Sequence, residues 1–145
     1  MHRPSAEEIQ RFITEAFPQD DRDPVITIDS VSATQVRVRL QVTDRHLRPG
    51  ASISGPIQMA MADTAAWALV LHNLGFAAAA SVTSNLNISF LSRPGPEPLV
   101  AEGTLLKLGK RLSVAQVRLF SEGSETLVAH ATVTYAVIVR EKVEP

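Results

Sequence analysis

A long, almost uncharged segment in the middle of the chain constrains the fold most. Between Pro49 and Ser92 the sequence contains no Lys, Arg or Glu, and Asp63 is the only charged side chain. Burying an isolated ionised carboxylate costs much free energy. We therefore expect Asp63 to have dedicated hydrogen-bond partners, to hold its proton more tightly than usual, or to face a solvent-filled cleft. This conflict between an apolar segment and a single acid is the main functional signal in the sequence.

Residues 54–75 of this segment are predicted to form one buried helix. The run SGPIQMAMADTAAWALVLHNLG is rich in Ala, Met and Leu, which are good helix formers. Ser54 or Gly55 can cap its N-terminus, and Pro56 is tolerated in the first turn because its missing N–H costs nothing there. Gly75 supplies a stop signal. A period of 3.6 residues puts apolar side chains on both main stripes, so the helix should be enclosed.

Length and composition limit the classes of function. The 145 residues fit one domain spanning 1–145. A formal net charge of −1 gives no reason to expect nucleic acid or an anionic membrane as the main partner. The absence of cysteine excludes a disulfide framework, a cysteine nucleophile and Cys-ligated zinc. The N-terminus is polar and no apolar run is long enough to span a bilayer, so we expect a cytoplasmic protein without membrane partners.

Hydrophobic periodicity predicts the other elements. A capping-box pattern, Ser5-x-x-Glu8, precedes apolar residues at helical spacing, which predicts a short amphipathic helix at 5–17 within an N-terminal helix-and-loop segment, 1–18. Residues 43–52 are predicted to be a loop. Alternation with a period of two, or β-branched runs between turn signals, predicts strands at 25–27, 35–42, 82–90, 99–108, 112–121 and 126–139, followed by a solvated tail at 140–145.

This order of elements predicts an α+β fold in which one antiparallel sheet wraps the long central helix. On strand 82–90, four neutral polar residues alternate with apolar ones and are expected to share a face: Thr83, Asn85, Asn87 and Ser89. Such a face can hydrogen-bond a ligand, although an exposed sheet face would have a similar composition. Arg45, His46 and Arg48 precede the central helix, and they fit an anionic ligand and ordinary loop charges equally well.

The usual nucleotide, zinc-protease, calcium and serine-hydrolase motifs are absent, and the four His residues lack metal-ligand spacing, so no metal site is expected. What remains is the predicted helix N-terminus at Gly55, followed two turns later by Asp63. Backbone N–H groups at a helix N-terminus can stabilise an oxyanion, and Gly55 lets a carbonyl approach closely. Asp63 can then serve as nucleophile or as base. The alternative is an internally hydrogen-bonded Asp63 without a catalytic role.

Two segments, LRPGASISGPIQMAMADTAAWALV and VTSNLNISFLSRPG, resemble the hotdog-fold acyl-CoA thioesterases of the PaaI-like branch. The shared features are a glycine turn with a helical acid eight residues after its first Gly, here Gly55 and Asp63, and an N-I-x-F-L-x-P-like strand phrase, here NISFLSRP. The resemblance implies the hotdog fold, a long central helix wrapped by a curved antiparallel β-sheet. It also implies hydrolysis of a small or medium acyl-CoA or aryl-acyl-CoA thioester.

The same resemblance implies roles for individual residues. Asp63 would be the catalytic base or nucleophile, the Gly55 amide would polarise the thioester carbonyl, and Thr83 would supply a water-positioning hydroxyl across a dimer interface. Coenzyme A would enter as part of the substrate, without a separate cofactor, and the chain would form a homodimer or homotetramer with sites between subunits. The residues implied to bind substrate are Ser54, Arg48, Asn87, Arg93, Lys110 and Arg111.

The chain departs from the family pattern at the turn itself. Many relatives have His-Gly-Gly where this chain has Ser54-Gly55-Pro56, so the imidazole is missing and Pro56 cannot donate an N–H. Arg48 stands where relatives often carry Asn. A non-catalytic module that binds acyl-CoA or acyl carriers therefore remains the second candidate function. A hotdog dehydratase is a third, although the helix turn lacks the His that its chemistry would need.

Overall fold

Helix α2 (Gly55–Leu74) runs through the centre of the computed structural model, which describes residues 2–18 and 25–140. Ser54 is its N-cap and accepts a hydrogen bond from a backbone N–H of the first turn over 3.4 Å. The helix ends at Gly75, whose φ of +77° lies in the left-handed region that favours glycine. These boundaries confirm the predicted buried helix and both of its end signals.

One antiparallel sheet curves around α2 and contacts it along six strands. The spatial order is β1-β2-β6-β7-β8-β5, so the meander predicted for the last three strands is confirmed, and β5 forms one edge of the sheet. The fold is therefore the predicted α+β architecture. The strands of this sheet are β1 (Val25–Val31), β2 (Gln35–Gln41), β5 (Val82–Phe90), β6 (Leu99–Leu108), β7 (Leu112–Ser121) and β8 (Leu127–Ala136).

Helix α1 (Ala6–Ala16) packs against β1 and α2. Its predicted capping box is present, with the N–H of Glu8 donating to the Ser5 hydroxyl over 3.1 Å and the Glu8 carboxylate accepting from the Ser5 N–H over 3.3 Å. No helix among the described residues is long and apolar enough to cross a membrane. Residues 19–24 and nearly all of the predicted C-terminal tail, 140–145, lie outside the described residues.

The segment before α2 differs from the prediction, because part of the expected loop forms a tight hairpin of β3 (Leu47–Arg48) and β4 (Ser52–Ile53). Its turn uses two residues with positive φ, Gly50 at +90° and Ala51 at +57°. Arg93 donates from Nη2 to the carbonyl of Gly50 over 2.7 Å and so ties the turn to the segment that follows β5. Local periodicity did not indicate this hairpin, because each strand has only two residues.

Small residues bring α2 close to the sheet. A Cβ atom on Gly103 of β6 would lie 2.8 Å from Cγ1 of Val36 and 3.6 Å from Cβ of Ala65 on the helix, so a larger residue would force a core shift. The side of α2 that carries Ala65 and Leu69 is thereby pressed onto the sheet, and both residues are fully buried. This docking fixes the rotation of the helix and with it the direction in which Asp63 points.

Candidate active site

Asp63 lies half-buried on α2 and reaches towards β5 and β8. The hydroxyl of Thr83 donates to Oδ1 of Asp63 over 2.5 Å, and the phenol of Tyr135 donates to the same oxygen over 2.9 Å. No described residue donates to Oδ2, and no described cation forms an ion pair with the carboxylate. Asp63 therefore has dedicated hydrogen-bond donors on one oxygen, which leaves the other oxygen for water or a ligand.

A β-bulge brings Thr83 to this position. The register of β5 against β8 shifts between Thr83, which is opposite Tyr135, and Asn85, which is opposite Thr134. Strict alternation predicted that Thr83 would share a face with Asn85, and this was wrong, because the extra residue of a bulge turns the strand over. The bulge puts Thr83 on the helix side of the sheet. The Thr83 hydroxyl also contacts Asp63 of its own chain, whereas the resemblance implied a contribution across a subunit interface.

Tyr135 is the functional candidate that sequence reasoning missed. It lies on β8, is 4% exposed, and also donates to the backbone carbonyl of Asp63 over 3.3 Å. Burial raises the pKa of its phenol, and the nearby negative charge of Asp63 raises it further. The phenol thus stays protonated and remains a donor at neutral pH. The only available signal was that Tyr135 is the single tyrosine of the chain.

We expect Tyr135→Phe to lower kcat by about tenfold, because a hydrogen bond to a charged group contributes roughly 1.5–3 kcal/mol and only one of the two donors to Asp63 is lost. Steady-state kinetics measures this loss. Thr83→Val removes the other donor and should give a loss of the same order. A Tyr135→Phe enzyme with wild-type kcat would show that the phenol does not orient the carboxylate.

The same phenol predicts a pH dependence of stability. Its pKa in the folded chain is raised above the unfolded value of about 10, so above that pH the unfolded chain loses a proton that the folded chain keeps. The free energy of unfolding should therefore fall as the pH rises above about 10. Denaturant unfolding of wild type and Tyr135→Phe across this range tests the effect, which should be absent from the variant.

A cavity of about 750 Å³ is lined in part by Asp63. It is bounded by α1, β1, α2, the bend after α2, the start of β5 and β8, and among the described residues Asp63 is the only charged one in its lining. Trp67, four residues after Asp63, continues the same side of the helix. The lining residues are Ile13, Phe17, Ile26, Ala60, Asp63, Thr64, Trp67, Ala79, Ala80, Ser81, Val82, Thr83 and Tyr135.

Gly55 lies elsewhere, in a second cleft of about 780 Å³. This cleft contains the N-terminus of α2, the β3–β4 hairpin and the end of β5. Its lining includes Arg48 and Arg93 and, in the part of the chain that the structure describes, no Asp or Glu. Gly55 and Asp63 are eight residues apart, which is about 12 Å along a helix, and the two clefts share no lining residue. A single chain therefore does not bring the two predicted catalytic groups to one carbonyl.

Of the predicted substrate-binding residues, Arg48 and Arg93 line the Gly55 cleft and the other four line neither cleft. Ser54 uses its oxygen to cap α2, and Asn87 faces away from α2 with its side chain exposed, opposite Thr132 on the outer side of the sheet. Neither Ser54 nor Asn87 is part of the lining of these two clefts. Lys110 and Arg111 are exposed in the turn before β7, at the end of the sheet where Thr83 lies. Within the described residues, no group of three or more His, Cys, Asp or Glu side chains is arranged to hold a metal ion.

Residues 50–128 match the family model of the thioesterase superfamily, and this segment contains Gly55, Asp63 and Thr83 but not Tyr135. No protein of curated function matches the chain. Among solved structures, a candidate thioesterase from Silicibacter sp. TM1040 is similar at 39% sequence identity, with 92% of this chain and 91% of that chain covered and a TM-score of 0.83.

Two more distant structures have the same fold. A thioesterase from Haemophilus influenzae is 17% identical over 97% of this chain and 94% of its own, with a TM-score of 0.78. Zebrafish thioesterase superfamily member 2 is 17% identical over 93% of this chain and 99% of its own, with a TM-score of 0.76. The family model, the 39% identical structure and the shared hotdog fold lead to one conclusion: the chain is a thioester hydrolase that belongs to the thioesterase superfamily.

Proposed function

We propose that the chain is an acyl-CoA thioesterase of the PaaI-like branch in which Asp63 performs the chemistry. The observation that carries this proposal is the carboxylate itself. Two donors orient it through Oδ1, Oδ2 has no donor among the described residues, and Asp63 lines a cavity. A carboxylate in this state can accept a proton or attack a carbonyl. The spacing between Gly55 and Asp63 supports assignment to the branch.

With Asp63 as general base, Oδ2 removes a proton from water while the water oxygen bonds to the thioester carbon. The carbonyl oxygen becomes an oxyanion, which a backbone N–H at the start of a helix can stabilise. Collapse of this intermediate re-forms the C=O bond, breaks the C–S bond and releases the thiolate of coenzyme A, which takes the proton from Asp63. With Asp63 as nucleophile, the carboxylate bonds to the carbonyl carbon, the C–S bond breaks and the thiolate of coenzyme A leaves. Water then hydrolyses the resulting mixed anhydride to the free acid and regenerates the Asp63 carboxylate.

A second copy of the chain would complete this site. β5 is an edge strand, and edge strands with exposed apolar residues tend to be covered by another chain. Thr83, near the start of β5, contacts Asp63, whereas Phe90, at its end, lies within 3.3 Å of a Cβ position on Gly55. Antiparallel pairing of two β5 edges about a two-fold axis would bring the Asp63 end of one copy to the Gly55 end of the other.

The homodimer that we propose therefore has two sites, each made from Asp63 of one subunit and the Gly55 amide of its partner. A dimer of such dimers would be the homotetramer. The cleft around Gly55 supplies Arg48 and Arg93, both without a carboxylate neighbour in its lining, and guanidinium groups pair well with phosphate. We assign the phosphates of coenzyme A to this cleft, with Lys110 and Arg111 as exposed cations near the other half of the site.

One observation favours the second candidate, a module that binds acyl-CoA or acyl carriers without hydrolysis. The turn before α2 lacks an imidazole, and Pro56 has no N–H, so only the Gly55 amide remains of a two-glycine turn. An oxyanion site with fewer donors stabilises the transition state less well. The two hydrogen bonds that orient Asp63 through Oδ1 weigh against this alternative, because a carboxylate with only a structural role would not require its second oxygen to remain open to a ligand.

Thiol release separates these two functions. The purified chain is incubated with acyl-CoA thioesters from acetyl to palmitoyl and with an aryl-acyl-CoA, and free thiol is measured alongside binding by calorimetry. We expect thiol release that saturates with substrate and depends on Asp63. Binding of several thioesters without release above the blank would contradict the hydrolase proposal and support the binding module.

A further inference from the structure

Helix α1 supplies part of the wall of the Asp63 cavity, and the size and chemistry of this wall bear on which acyl groups fit. Ile13 of α1 and its C-cap, Phe17, both line this cavity, and the Phe17 ring lies 5.9 Å from the Trp67 ring in an edge contact. The 50–128 segment shared with the thioesterase superfamily contains Asp63 and Trp67 but not α1. The family match therefore says nothing about this part of the cavity wall.

The direction of the cavity follows from helix geometry. Asp63 and Trp67 are four residues apart, so their side chains are neighbours on one side of α2, roughly 6 Å apart at Cβ. The rings of Phe17 and Trp67 contact each other edge-on, and both residues line the cavity. An acyl chain that runs from a thioester at Asp63 along the side of Trp67 would therefore reach the part of the wall that α1 and its C-cap supply.

The chemistry of the lining restricts the ligand as well. Apart from Asp63, the described residues of the lining are uncharged, and most of them are aromatic or aliphatic. A second carboxylate on the acyl group would be desolvated there without a cation to pair with, which is unfavourable. An apolar acyl group gains affinity instead with every methylene that it buries.

We propose that the preferred substrates carry an uncharged, apolar acyl group, and that Ile13 and Phe17 of α1 limit its length. The inference rests on the proposed thioesterase function, since it places the thioester at Asp63. It assigns acyl selectivity to a helix outside the matched family segment. Phe17 and Ile13 are specificity-determining residues in this scheme and take no part in bond breaking.

Trp67 makes the test independent of turnover. It is the only tryptophan in the chain and lies in the cavity wall, so a change in its fluorescence reports that the cavity is occupied. The inactive Asp63→Asn variant is titrated with straight-chain acyl-CoAs of increasing length. Affinity should rise by about fourfold per added methylene and then stop rising at a length limit. An acyl-CoA of equal length with a terminal carboxylate should bind at least about tenfold more weakly.

Phe17→Ala, made in the same Asp63→Asn background, should move the length limit to longer chains. Phe17 is 57% exposed, so this change should leave the fold intact. Ile13→Ala should act in the same direction. Phe12→Leu is the matched control, because Phe12 also contacts Trp67, with ring centroids 6.1 Å apart, but does not line the cavity, and it should leave the limit unchanged.

The outcomes test this inference separately from the proposed thioesterase function. An unchanged limit in Phe17→Ala, or an equal shift in Phe12→Leu, would overturn the role of α1, and equal affinity for the carboxylated chain would overturn the apolar class. If wild type hydrolyses acyl-CoA and one of these results is found, that part of the inference is rejected and the thioesterase proposal is retained. The expected length dependence without hydrolysis by wild type would support the inference and refute the catalytic proposal.

Discussion

Asp63→Asn should lower kcat for acyl-CoA hydrolysis by roughly a hundredfold or more, the range expected when a general base is removed. Asparagine keeps the shape of the side chain and an oxygen that can still accept from Thr83 and Tyr135, which now donate to Oδ1. Its amide nitrogen can neither accept a proton from water nor attack a carbonyl. The expected loss therefore appears in kcat, measured by thiol release, while circular dichroism and thermal unfolding stay close to those of wild type.

A matched control is Asp29→Asn, which removes an exposed carboxylate 3.9 Å from Arg37 that does not line the Asp63 cavity. Its kcat and KM should equal those of wild type. An Asp63→Asn enzyme that retains most of its activity would refute the catalytic assignment and would leave Asp63 as a hydrogen-bonded structural residue of the hotdog fold.

Gly55→Pro should lower kcat by about a hundred- to a thousandfold, because it removes the backbone N–H that we assign to the oxyanion, and loss of one such donor has effects of this size. Proline is tolerated at the start of a helix, and the extended backbone of Ser54, with ψ of 154°, suits a residue that precedes proline. Gly55→Ala is the matched control, since it adds a Cβ at the same place, 3.3 Å from the Phe90 ring, and keeps the N–H.

Mixing the two inactive variants tests whether the site is shared. If Asp63 and Gly55 act across a dimer, unfolding and refolding an equal mixture of Asp63→Asn and Gly55→Pro chains forms heterodimers with one intact site each. Random pairing then restores about a quarter of wild-type activity. If Asp63 and Gly55 act within one chain, the mixture of the two variants would stay inactive. That result would exclude the shared site while leaving the role of Asp63 intact.

Local sequence signals predicted the elements that hold the site. The boundaries of α2 followed from a capping serine and a terminal glycine, and those of α1 from its capping box. Each of these signals lies within a few residues of the structure it specifies, because capping depends on nearby backbone N–H groups. The lone charge of Asp63 in an apolar segment also indicated a functional acid, and Asp63 is half-buried and lines a cavity.

The contacts around Asp63 could not be predicted in this way, since they depend on register between strands distant in sequence. Tyr135 reaches Asp63 from 72 positions away, and Thr83 does so only because a bulge interrupts its strand. A bulge changes which face a residue occupies without changing the composition of the strand. The spacing of Gly55 and Asp63 was read as one site, but helix geometry separates the two groups within a chain.

The nine residues of β5 have a consequence for how this protein tolerates change. At about 3.3 Å per residue, the length of the strand sets the distance between its Thr83 end and its Phe90 end. Inserting or deleting one residue in its middle would alter this distance and reverse the facing of every side chain beyond it. In a two-fold dimer such a change would misalign both reaction centres at once, although every chemical group of the enzyme would remain present.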